Sequence, residues 1–390
     1  MFKVQTFNKI ATIGLQQFPK ELYEVSAEVQ QPDAILVRSH SLHDMNLPVS
    51  VKVIGRAGAG VNNIPVANFT ELGVPVLCTP GANANAVSEL VLSGMLLASR
   101  NLCQAWEYVR GLQGDDKALN STIEQHKKQF IGTELLGKTL GIIGLGSIGV
   151  RVANAAIHLG MRVIGYDPTI SVNRAWELSS SVIQARSLDE LLSQSDYATL
   201  HVPLVAATKE MINHERLQLM KKAAVLLNFS RDGIVDNQAL SEILKHKGIA
   251  AYVSDFPCQL LKNNPAVISL PHLGASTIEA EENCAVMLVK QIRAFLETGA
   301  ITNSVNFPDV EVPHHYTGMR IGIVNANIPN MVAQMSSKLA AAGLNILSLH
   351  NQSRGEIAYT LLDVQGDVAP AILNEIKTIS GVKQVRKIHC

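Results

Sequence analysis

The chain has 390 residues, which is more than one ordinary hydrophobic core holds, so we expect three domains. Apolar residues make up 47% of it and charged residues 17%, a balance typical of a folded protein rather than a disordered one. Its 33 basic side chains equal its 33 acidic ones, so the composition gives no positive field for nucleic acid or an anionic membrane. Any anion is expected to bind at a local site.

The five cysteines are scattered and contain no C-x-x-C pair, which argues against a zinc site or a disulfide framework. The amino terminus has no continuous apolar segment of the kind found in signal peptides, and no run of 18 apolar residues occurs anywhere. The sequence therefore predicts a cytoplasmic protein that binds no metal and no membrane.

The first 95 residues alternate short apolar runs with helical or turn segments, which is typical of a parallel sheet. The predicted strands are residues 2–7, 34–39, 51–58 and 74–80. Residues 85–100 are apolar at helical spacing and predict a long helix that leaves this unit.

Residues 137–167 predict a complete βαβ unit: a buried strand, a glycine turn, a helix and a second strand that ends at Asp167. Four further strands of the same sheet are predicted at 197–203, 223–230, 249–255 and 266–272. Several of these strands end in polar residues. Ligands of doubly wound sheets bind beyond the carboxyl ends of the strands, so we expect these residues to meet at one cleft: Asp167, His201, Asn228, Ser230, Asp255 and His272.

A helix over 277–298 is predicted to carry the chain back toward the first domain, and a short proline-containing segment follows it. Residues 319–390 then read as strand, helix, two strands, helix and strand, a ferredoxin-like βαββαβ order. The predicted fold class is α/β, with two doubly wound parallel-sheet domains, one of them a Rossmann domain, and this C-terminal unit.

The glycines Gly144, Gly146 and Gly149 form a G-x-G-x-x-G pattern between a predicted strand and a helix. The first permits a tight turn, the second lets the amides near Ser147 and Ile148 approach a pyrophosphate, and the third allows close helix packing. The motif alone is weak, but its context indicates a dinucleotide site.

Asp167 lies 23 residues after Gly144, at the end of the second strand, where a carboxylate binds the adenosine ribose hydroxyls. It would repel a 2′-phosphate, which favours NAD over NADP. The alternative is that Asp167 only caps the Y-D-P turn.

Two further side chains carry the predicted chemistry. Arg231 follows a strand end, where its guanidinium is suited to grip a substrate carboxylate, or alternatively to form a structural salt bridge. His272 ends a strand in the sequence L-P-H-L-G, where a histidine can take a hydroxyl proton during hydride transfer, although a structural role is also open.

Several separate motifs resemble the D-3-phosphoglycerate dehydrogenases, within the D-isomer-specific 2-hydroxyacid dehydrogenase family. They are IGRAGAGVNN, GTELLGKTLGIIGLGSIG, GYDPTIS, RDGIVD, LPHLGAST and NSVNFP, and they span nearly the whole chain. The resemblance implies oxidation of 3-phospho-D-glycerate to 3-phosphohydroxypyruvate with NAD, the first committed step to L-serine.

The resemblance also implies a domain plan. The substrate-binding domain comprises 1–95 and 272–303, the Rossmann NAD-binding domain 96–271, the linker 304–317, and a regulatory ACT domain 318–390. NAD is expected in the cleft between the first two domains, and the protein is expected to be a homo-oligomer, a dimer or a tetramer.

By the same resemblance, Arg231 is the substrate-binding arginine and His272 the acid/base histidine. Arg38 and Arg56 match positions that meet the substrate phosphate and carboxylate, although Arg56 alternatively braces the glycine loop. The remaining residues implied for the substrate are Ala57, Gly58 and Gly60. Those implied for the cofactor, beside the glycine motif and Asp167, are His201, Pro203, Thr208, Asn228, Phe229, Ser230, Asp255, Gly274 and Ala275.

The sequence departs from the family at Leu260. The family places there, five residues after the position of Asp255, a glutamate that hydrogen-bonds the histidine and raises its pKa. We hypothesise that another carboxylate or a water orients His272, with Glu89 a candidate. Lys262 is the alternative acid/base group.

The C-terminal unit resembles the serine-binding ACT domains, with Asn325, Asn327 and Asn345 at the matching effector positions. Asn330 replaces the usual glycine of a Pro-Gly turn, where a side chain crowds a ligand. Inhibition by L-serine and a role confined to assembly both stay open.

Two rival functions remain. The first is a reductase of another 2-oxo acid, such as glyoxylate, hydroxypyruvate or 2-oxoglutarate, without a dedicated phosphate pocket. The second is an NADH-sensing binding protein like the family's corepressor relatives.

Overall fold

The computed structural model describes residues 1–313 and 318–388, which form two compact units. Unit 1 consists of Met1–Asn83 and the chain from Ile278 onwards, and unit 2 of Ala84–Thr277. The domain boundaries expected from the sequence stay a prediction, and residues 314–317 of the expected linker and 389–390 of the last expected domain lie outside the described residues. Within the described residues, no helix is both long enough and apolar enough to cross a membrane.

The first sheet of unit 1 is parallel, with strand order β2-β1-β3-β4-β5. Its elements are β1 (Phe2–Thr6), α1 (Thr12–Leu15), β2 (Tyr23–Ser26), β3 (Ala34–Val37), β4 (Val53–Arg56), α2 (Val66–Glu71) and β5 (Val76–Leu77). The strand order reverses between β1 and β3, the position at which doubly wound sheets bind ligands. The rings of Phe7 and His40, from the loops that follow these two strands, stack there at 4.7 Å.

Unit 2 is built on a seven-stranded parallel sheet with strand order β12-β11-β10-β9-β6-β7-β8. Its first elements are α3 (Ala84–Ser99), α4 (Leu102–Gly111), α5 (Asp116–His126), a 3-10 helix (Lys127–Phe130), β6 (Thr139–Ile143), α6 (Ser147–His158), β7 (Arg162–Tyr166), α7 (Val172–Glu177) and β8 (Ile183–Gln184). The others are α8 (Leu188–Gln194), β9 (Tyr197–Leu200), α9 (His214–Leu219), β10 (Val225–Asn228), α10 (Asn237–Lys245), β11 (Ala251–Ser254) and β12 (Val267–Ser269). The order reverses between β6 and β9, as in a Rossmann domain.

The C-terminal part of unit 1 contains an antiparallel sheet of order β14-β15-β13-β16. Its elements follow α11 (Ile278–Thr298) and are β13 (Gly318–Ala326), α12 (Met331–Ala341), β14 (Ile346–Arg354), β15 (Ile357–Gln365), α13 (Pro370–Lys377) and β16 (Val382–Ile388). This is the ferredoxin-like βαββαβ arrangement, so the predicted fold class is confirmed.

The central strands of the antiparallel sheet, β13 and β15, are buried on both faces, and the two faces belong to different cores. Ile321 and Ile323 of β13 pack with residues of α12 and α13. On the other face, Val324, Tyr359 and Ile388 pack with apolar residues of α11. The C-terminal sheet therefore shares a hydrophobic core with the first sheet of its own unit.

A fully buried ion pair fixes the junction between α11 and the antiparallel sheet. Arg320 of β13 donates to both carboxylate oxygens of Asp363 on β15, at 2.7 and 2.9 Å. Its remaining donors reach the carbonyl oxygens of Thr298, Val312 and Pro313. The guanidinium thus meets the requirement that a buried charge be paired and hydrogen-bonded, and it anchors the chain that enters β13.

The N-S-V-N-F-P motif has a structural explanation within unit 1. Asn306, which is 9% exposed, accepts from the Val76 amide at 2.8 Å and donates to Thr70 Oγ1 and the Val74 carbonyl. Ser304 donates to the Val76 carbonyl oxygen. These bonds satisfy the polar groups around β5 and hold the returning chain beside the first sheet.

Candidate active site

The glycine turn of unit 2 has the close packing that a dinucleotide-binding turn requires. Gly144 has a φ of +93°, and a Cβ there would lie 2.5 Å from the His201 carbonyl oxygen. A Cβ on Gly149 would overlap the Gly144 carbonyl oxygen, whereas one on Gly146 would meet no atom within 4 Å. The first and third glycines are thus required by the fold, and the second leaves open space at the amino end of α6.

Asp167 connects the end of β7 to the glycine turn. Its Oδ2 accepts from the Leu145 amide at 2.8 Å, and its Oδ1 accepts from the amide and the hydroxyl of Thr169 at 2.9 and 3.2 Å. The capping role weighed from the sequence is therefore present. Because carboxylate oxygens accept more than one hydrogen bond, capping leaves acceptor capacity for a ribose.

His201 follows β9 and lies beside the glycine turn. Its Nε2 is 3.0 Å from Thr199 Oγ1, and among the described residues its buried Nδ1 has no hydrogen-bond partner. Burial lowers the pKa of His201 to about 3, so the ring is neutral at physiological pH. In the same loop, Thr208 donates to the Pro203 carbonyl and accepts from the Val205 amide, which fixes the loop's shape.

The strand end of β10 orders Arg231 through its own polar groups. Asn228 donates to the Arg231 carbonyl at 3.0 Å and accepts from the Ser230 amide at 3.2 Å. Arg231 Nη1 donates to the Ser230 carbonyl at 2.7 Å. In the part of the chain that the structure describes, Arg231 forms no ion pair with a carboxylate, so its charge is available for an anion. Phe229 is buried beneath Gly94, where a Cβ would lie 2.9 Å from its ring.

Asp255 and His272 are neighbours at the ends of β11 and β12. Asp255 is 1% exposed, and its Oδ2 accepts from the Gly274 amide at 3.2 Å. Its buried Oδ1 has no partner among the described residues. Burial raises the pKa of Asp255, and the charge of His272 opposes that rise. The exposed His272 ring packs edge-on against Phe256 at 4.9 Å, while Ala275 is half-buried in the following turn.

Leu260 and Glu89 are the two other positions that bear on the orientation of His272; the first is an exposed apolar side chain and the second is hydrogen-bonded within α3. Leu260, at the position of the family's glutamate, is 45% exposed. The Glu89 carboxylate, the candidate named from the sequence, accepts from Asn85 one turn earlier on α3 at 2.7 Å. Asp255 is therefore the carboxylate whose electrostatic interaction with His272 the structure records.

The two amino-terminal arginines lie at the carboxyl ends of adjacent strands in unit 1. Arg38 follows β3, and Arg56 ends β4 and donates from Nε to the Arg38 carbonyl at 3.1 Å. A Cβ on Gly58, which has a φ of +146°, would collide with the Arg56 guanidinium. Arg56 thus does brace the glycine loop, as weighed from the sequence. The loop is closed by a 2.8 Å bond from the Gly58 amide to buried Thr79.

The other two residues predicted for the substrate lie in the same loop. Ala57 is 6% exposed and donates its amide to the Val37 carbonyl at 2.8 Å, whereas Gly60 is half-buried. Glu281, in the first turn of α11, was not predicted from the sequence, and its Oε1 lies 2.8 Å from Arg38 Nη1. That residue is 243 positions distant, and only the packing of α11 on the first sheet reveals it.

A cavity of about 430 Å³ lies in the C-terminal part of unit 1, at the end of β13. Its lining includes Asn325, Asn327, Asn330 and Asn351. Asn345 is not in that lining: it precedes β14, at the opposite end of the sheet, where its carbonyl accepts from the Gln365 amide. The predicted trio is thus not assembled within one chain, because β13 and β14 both pair antiparallel with β15 and run the same way.

Comparison with known proteins identifies the family. Residues 92–274 match the profile described as "D-isomer specific 2-hydroxyacid dehydrogenase, NAD binding domain". The hydroxypyruvate reductase of Thermotoga maritima is 35% identical over 291 residues, which cover 72% of this chain and 88% of that protein. The chain belongs to the D-isomer-specific 2-hydroxyacid dehydrogenase family. It carries the NAD-binding domain of that family.

Two further relatives bear phosphoglycerate dehydrogenase names. The D-3-phosphoglycerate dehydrogenase of Methanocaldococcus jannaschii is 38% identical over 296 residues, which cover 74% of this chain and 54% of that protein. The NAD⁺-bound 3-phosphoglycerate dehydrogenase structure from Entamoeba histolytica aligns with a TM-score of 0.62 at 25% identity, over 78% of this chain and 98% of that one. The chain spans about half the length of several curated relatives that it matches.

Proposed function

We propose that this chain is a D-3-phosphoglycerate dehydrogenase, which oxidises 3-phospho-D-glycerate to 3-phosphohydroxypyruvate with NAD in the first step of L-serine biosynthesis. The observation that carries the proposal is the pair of arginines at adjacent strand ends, Arg38 and Arg56, where Arg56 Nε donates to the Arg38 carbonyl oxygen at 3.1 Å. In a protein with no net charge, a phosphate of charge near −2 needs such a local cluster. The names of several family relatives agree with it.

The residues of unit 2 fit NAD. Space remains beside Gly146, and Asp167 has acceptor capacity for the ribose while its charge opposes a 2′-phosphate. The unpartnered buried Asp255 Oδ1 is suited to an amide donor, such as that of a nicotinamide. When bound, NAD supplies the hydride acceptor.

The chain's own residues supply the remaining steps. Arg231, which has no carboxylate partner among the described residues, binds the substrate carboxylate and fixes the orientation of carbon 2. His272 takes the proton of the carbon 2 hydroxyl as the hydride leaves, and it returns that proton in the reverse reaction. Asp255 lies beside His272 and stabilises the imidazolium, in place of the glutamate that Leu260 replaces.

The proposal is tested by substrate discrimination. Arg38→Ala should raise KM for phosphohydroxypyruvate by roughly 10-fold or more, since a lost charge-assisted contact costs ~1.5 to 3 kcal/mol. It should leave KM for hydroxypyruvate within about twofold. Equal effects on the two substrates would remove the phosphate assignment.

A second candidate is a reductase of an unphosphorylated 2-oxo acid such as hydroxypyruvate. The observation in its favour is that Arg38 already has an anionic partner, Glu281. Under this candidate the wild-type protein reduces hydroxypyruvate at least as efficiently as phosphohydroxypyruvate, so the same assay separates the two.

We also propose that the C-terminal part of unit 1 is an ACT-like regulatory domain whose asparagine-lined cavity takes L-serine. Buried Asn325 and neighbouring Asn327 and Asn351 offer amide groups suited to an amino acid. If so, L-serine inhibits the wild-type protein, and Asn325→Ala removes the inhibition without changing uninhibited turnover. If L-serine leaves the wild-type rate unchanged, the domain serves assembly in a homo-oligomer.

A further inference from the structure

Arg38 is held by a carboxylate of its own chain. Its Nη1 lies 2.8 Å from Glu281 Oε1, and the two side chains are 32% and 38% exposed. Arg38 follows the carboxyl end of β3, and Glu281 lies in the first turn of α11. The ion pair therefore connects that end of the first sheet to the helix. Glu281 therefore forms an ion pair with Arg38, one of the two arginines proposed to bind the substrate phosphate.

The surroundings of the pair are those of an anion site. Arg56 is hydrogen-bonded to the Arg38 carbonyl and lies over Gly58, so the two arginines belong to one cluster. Burial raises the pKa of the Cys284 thiol, and a hydrogen bond with Thr79 and the fields of Arg56 and Arg38 oppose that rise. Glu281 offsets the charge of Arg38, so the closed pair attracts a dianionic phosphate less strongly than an open Arg38 would.

The Arg38–Glu281 pair is weak enough to open. A partly exposed ion pair contributes only ~0 to 1 kcal/mol, because water and salt screen it. A dianionic phosphate carries more negative charge than a carboxylate and therefore gains more from the same guanidinium. A neutral hydroxyl in the same position has no charge with which to displace Glu281.

We propose that Glu281 is an internal competitor for the substrate phosphate and thereby a specificity-determining residue. It neutralises Arg38 when no phosphate is bound, and a dianionic group displaces it. Ligands that lack a phosphate leave the pair closed. This inference rests on the proposed function, in that it takes a phosphorylated substrate to be the ligand of Arg38.

The kinetic test compares Glu281→Gln with Glu282→Gln. Glu282→Gln removes the same charge one residue further along α11, and among the described residues Glu282 forms no ion pair. We expect Glu281→Gln to lower KM for phosphohydroxypyruvate by about 3- to 5-fold with kcat within about twofold, the scale of a partly exposed ion pair. KM for hydroxypyruvate should stay within about twofold, and Glu282→Gln should change neither value.

A double-mutant cycle separates competition from a general effect on the helix. In an Arg38→Ala background, Glu281→Gln should no longer change KM for the phosphorylated substrate, because Glu281 has no guanidinium to withhold. If the change persists in that background, or if KM falls equally for hydroxypyruvate, the competition is refuted.

Binding of inorganic phosphate tests the inference without turnover. In a thermal-shift titration of the full chain, Glu281→Gln should respond at about 3- to 5-fold lower phosphate concentration than the wild type and Glu282→Gln. Identical titrations for the three proteins would refute the role of Glu281. If the wild type turns over no phosphorylated substrate, the proposed function fails, and the phosphate titration still decides the role of Glu281.

Discussion

Asp255 Oδ2 accepts a hydrogen bond from the Gly274 amide at 3.2 Å, which ties the end of β11 to the turn that carries His272. The bond holds a carboxyl group that is 1% exposed within the electrostatic reach of the histidine. A buried carboxylate is costly unless a positive charge or hydrogen bonds stabilise it. The charge states of Asp255 and His272 are therefore linked.

His272→Ala should reduce kcat by about 10²- to 10⁴-fold at neutral pH, the usual contribution of a positioned general acid/base. The measurement is steady-state NADH oxidation with phosphohydroxypyruvate. Lys262→Ala is the control, since that lysine is the alternative proton donor, and it should retain most of the activity. Wild-type turnover in His272→Ala would transfer the acid/base role to Lys262.

The pH dependence of stability should distinguish Asp255 from Asp196. Burial raises the pKa of Asp255 in the folded state. The contribution of Asp255 to the free energy of unfolding is therefore complete below the unfolded pKa of ~3.9, and it is lost as pH rises through the folded-state pKa. Asp255→Asn should therefore gain stability relative to the wild type between about pH 4 and pH 7. The measurement is urea denaturation across that range.

Asp196 is the comparison for Asp255, because its pKa is shifted in the opposite direction. Burial raises the pKa of Asp196, but bonds from Lys221 and the Thr139 amide outweigh it and lower the pKa overall. Its contribution is present above the unfolded pKa of ~3.9 and is lost as pH falls through the folded value. Asp196→Asn should lose stability relative to the wild type at pH 7 and little in strong acid. The same trend for both variants would contradict the assigned signs.

Asp167→Ser should shift the cofactor preference toward NADP. Serine removes the charge that repels a 2′-phosphate and the acceptor of the ribose hydroxyls, and it loosens the bond to the Leu145 amide. We expect KM for NAD to rise by roughly 10-fold, the scale of a charge-assisted bond, and the NADP-to-NAD ratio of kcat/KM to rise with it. Parallel losses with both cofactors would show that Asp167 only caps the turn.

Much of the nucleotide half of the site was predictable because its residues are local in sequence. The glycine turn and Asp167 lie within one βαβ unit, so their spacing alone brings them together, as the Leu145 amide bond shows. The carboxyl ends of parallel strands likewise placed Asp255 and His272 at the same edge of the sheet.

What the sequence did not predict depends on long-range packing. Glu281 meets Arg38 only because α11 packs against the first sheet, where a Cβ on Gly55 would collide with Leu288. Asn345 was grouped with Asn325 by motif order, but the sheet register places them at opposite ends. The apolar run of β15 does indicate a strand covered on both faces, and eight of its nine residues are buried in the structure.

Arg320→Leu should destabilise the protein by about 3 to 5 kcal/mol, because it removes the cation that neutralises the buried charge of Asp363. The measurement is urea denaturation followed by circular dichroism. The double variant Arg320→Leu with Asp363→Leu buries no charge and should be less destabilised than the single one. A double variant at least as unstable as the single would mean that the loss comes from packing and the carbonyl contacts rather than from the buried charge of Asp363.

The proposed function is tested most directly by NADH oxidation by the full chain at neutral pH, with phosphohydroxypyruvate and with hydroxypyruvate as substrates. We predict a kcat/KM at least about 10-fold higher for the phosphorylated substrate, since the arginine cluster supplies ~1.5 to 3 kcal/mol to a phosphate. Equal efficiency with the two substrates, or no NADH oxidation with either, would contradict the account.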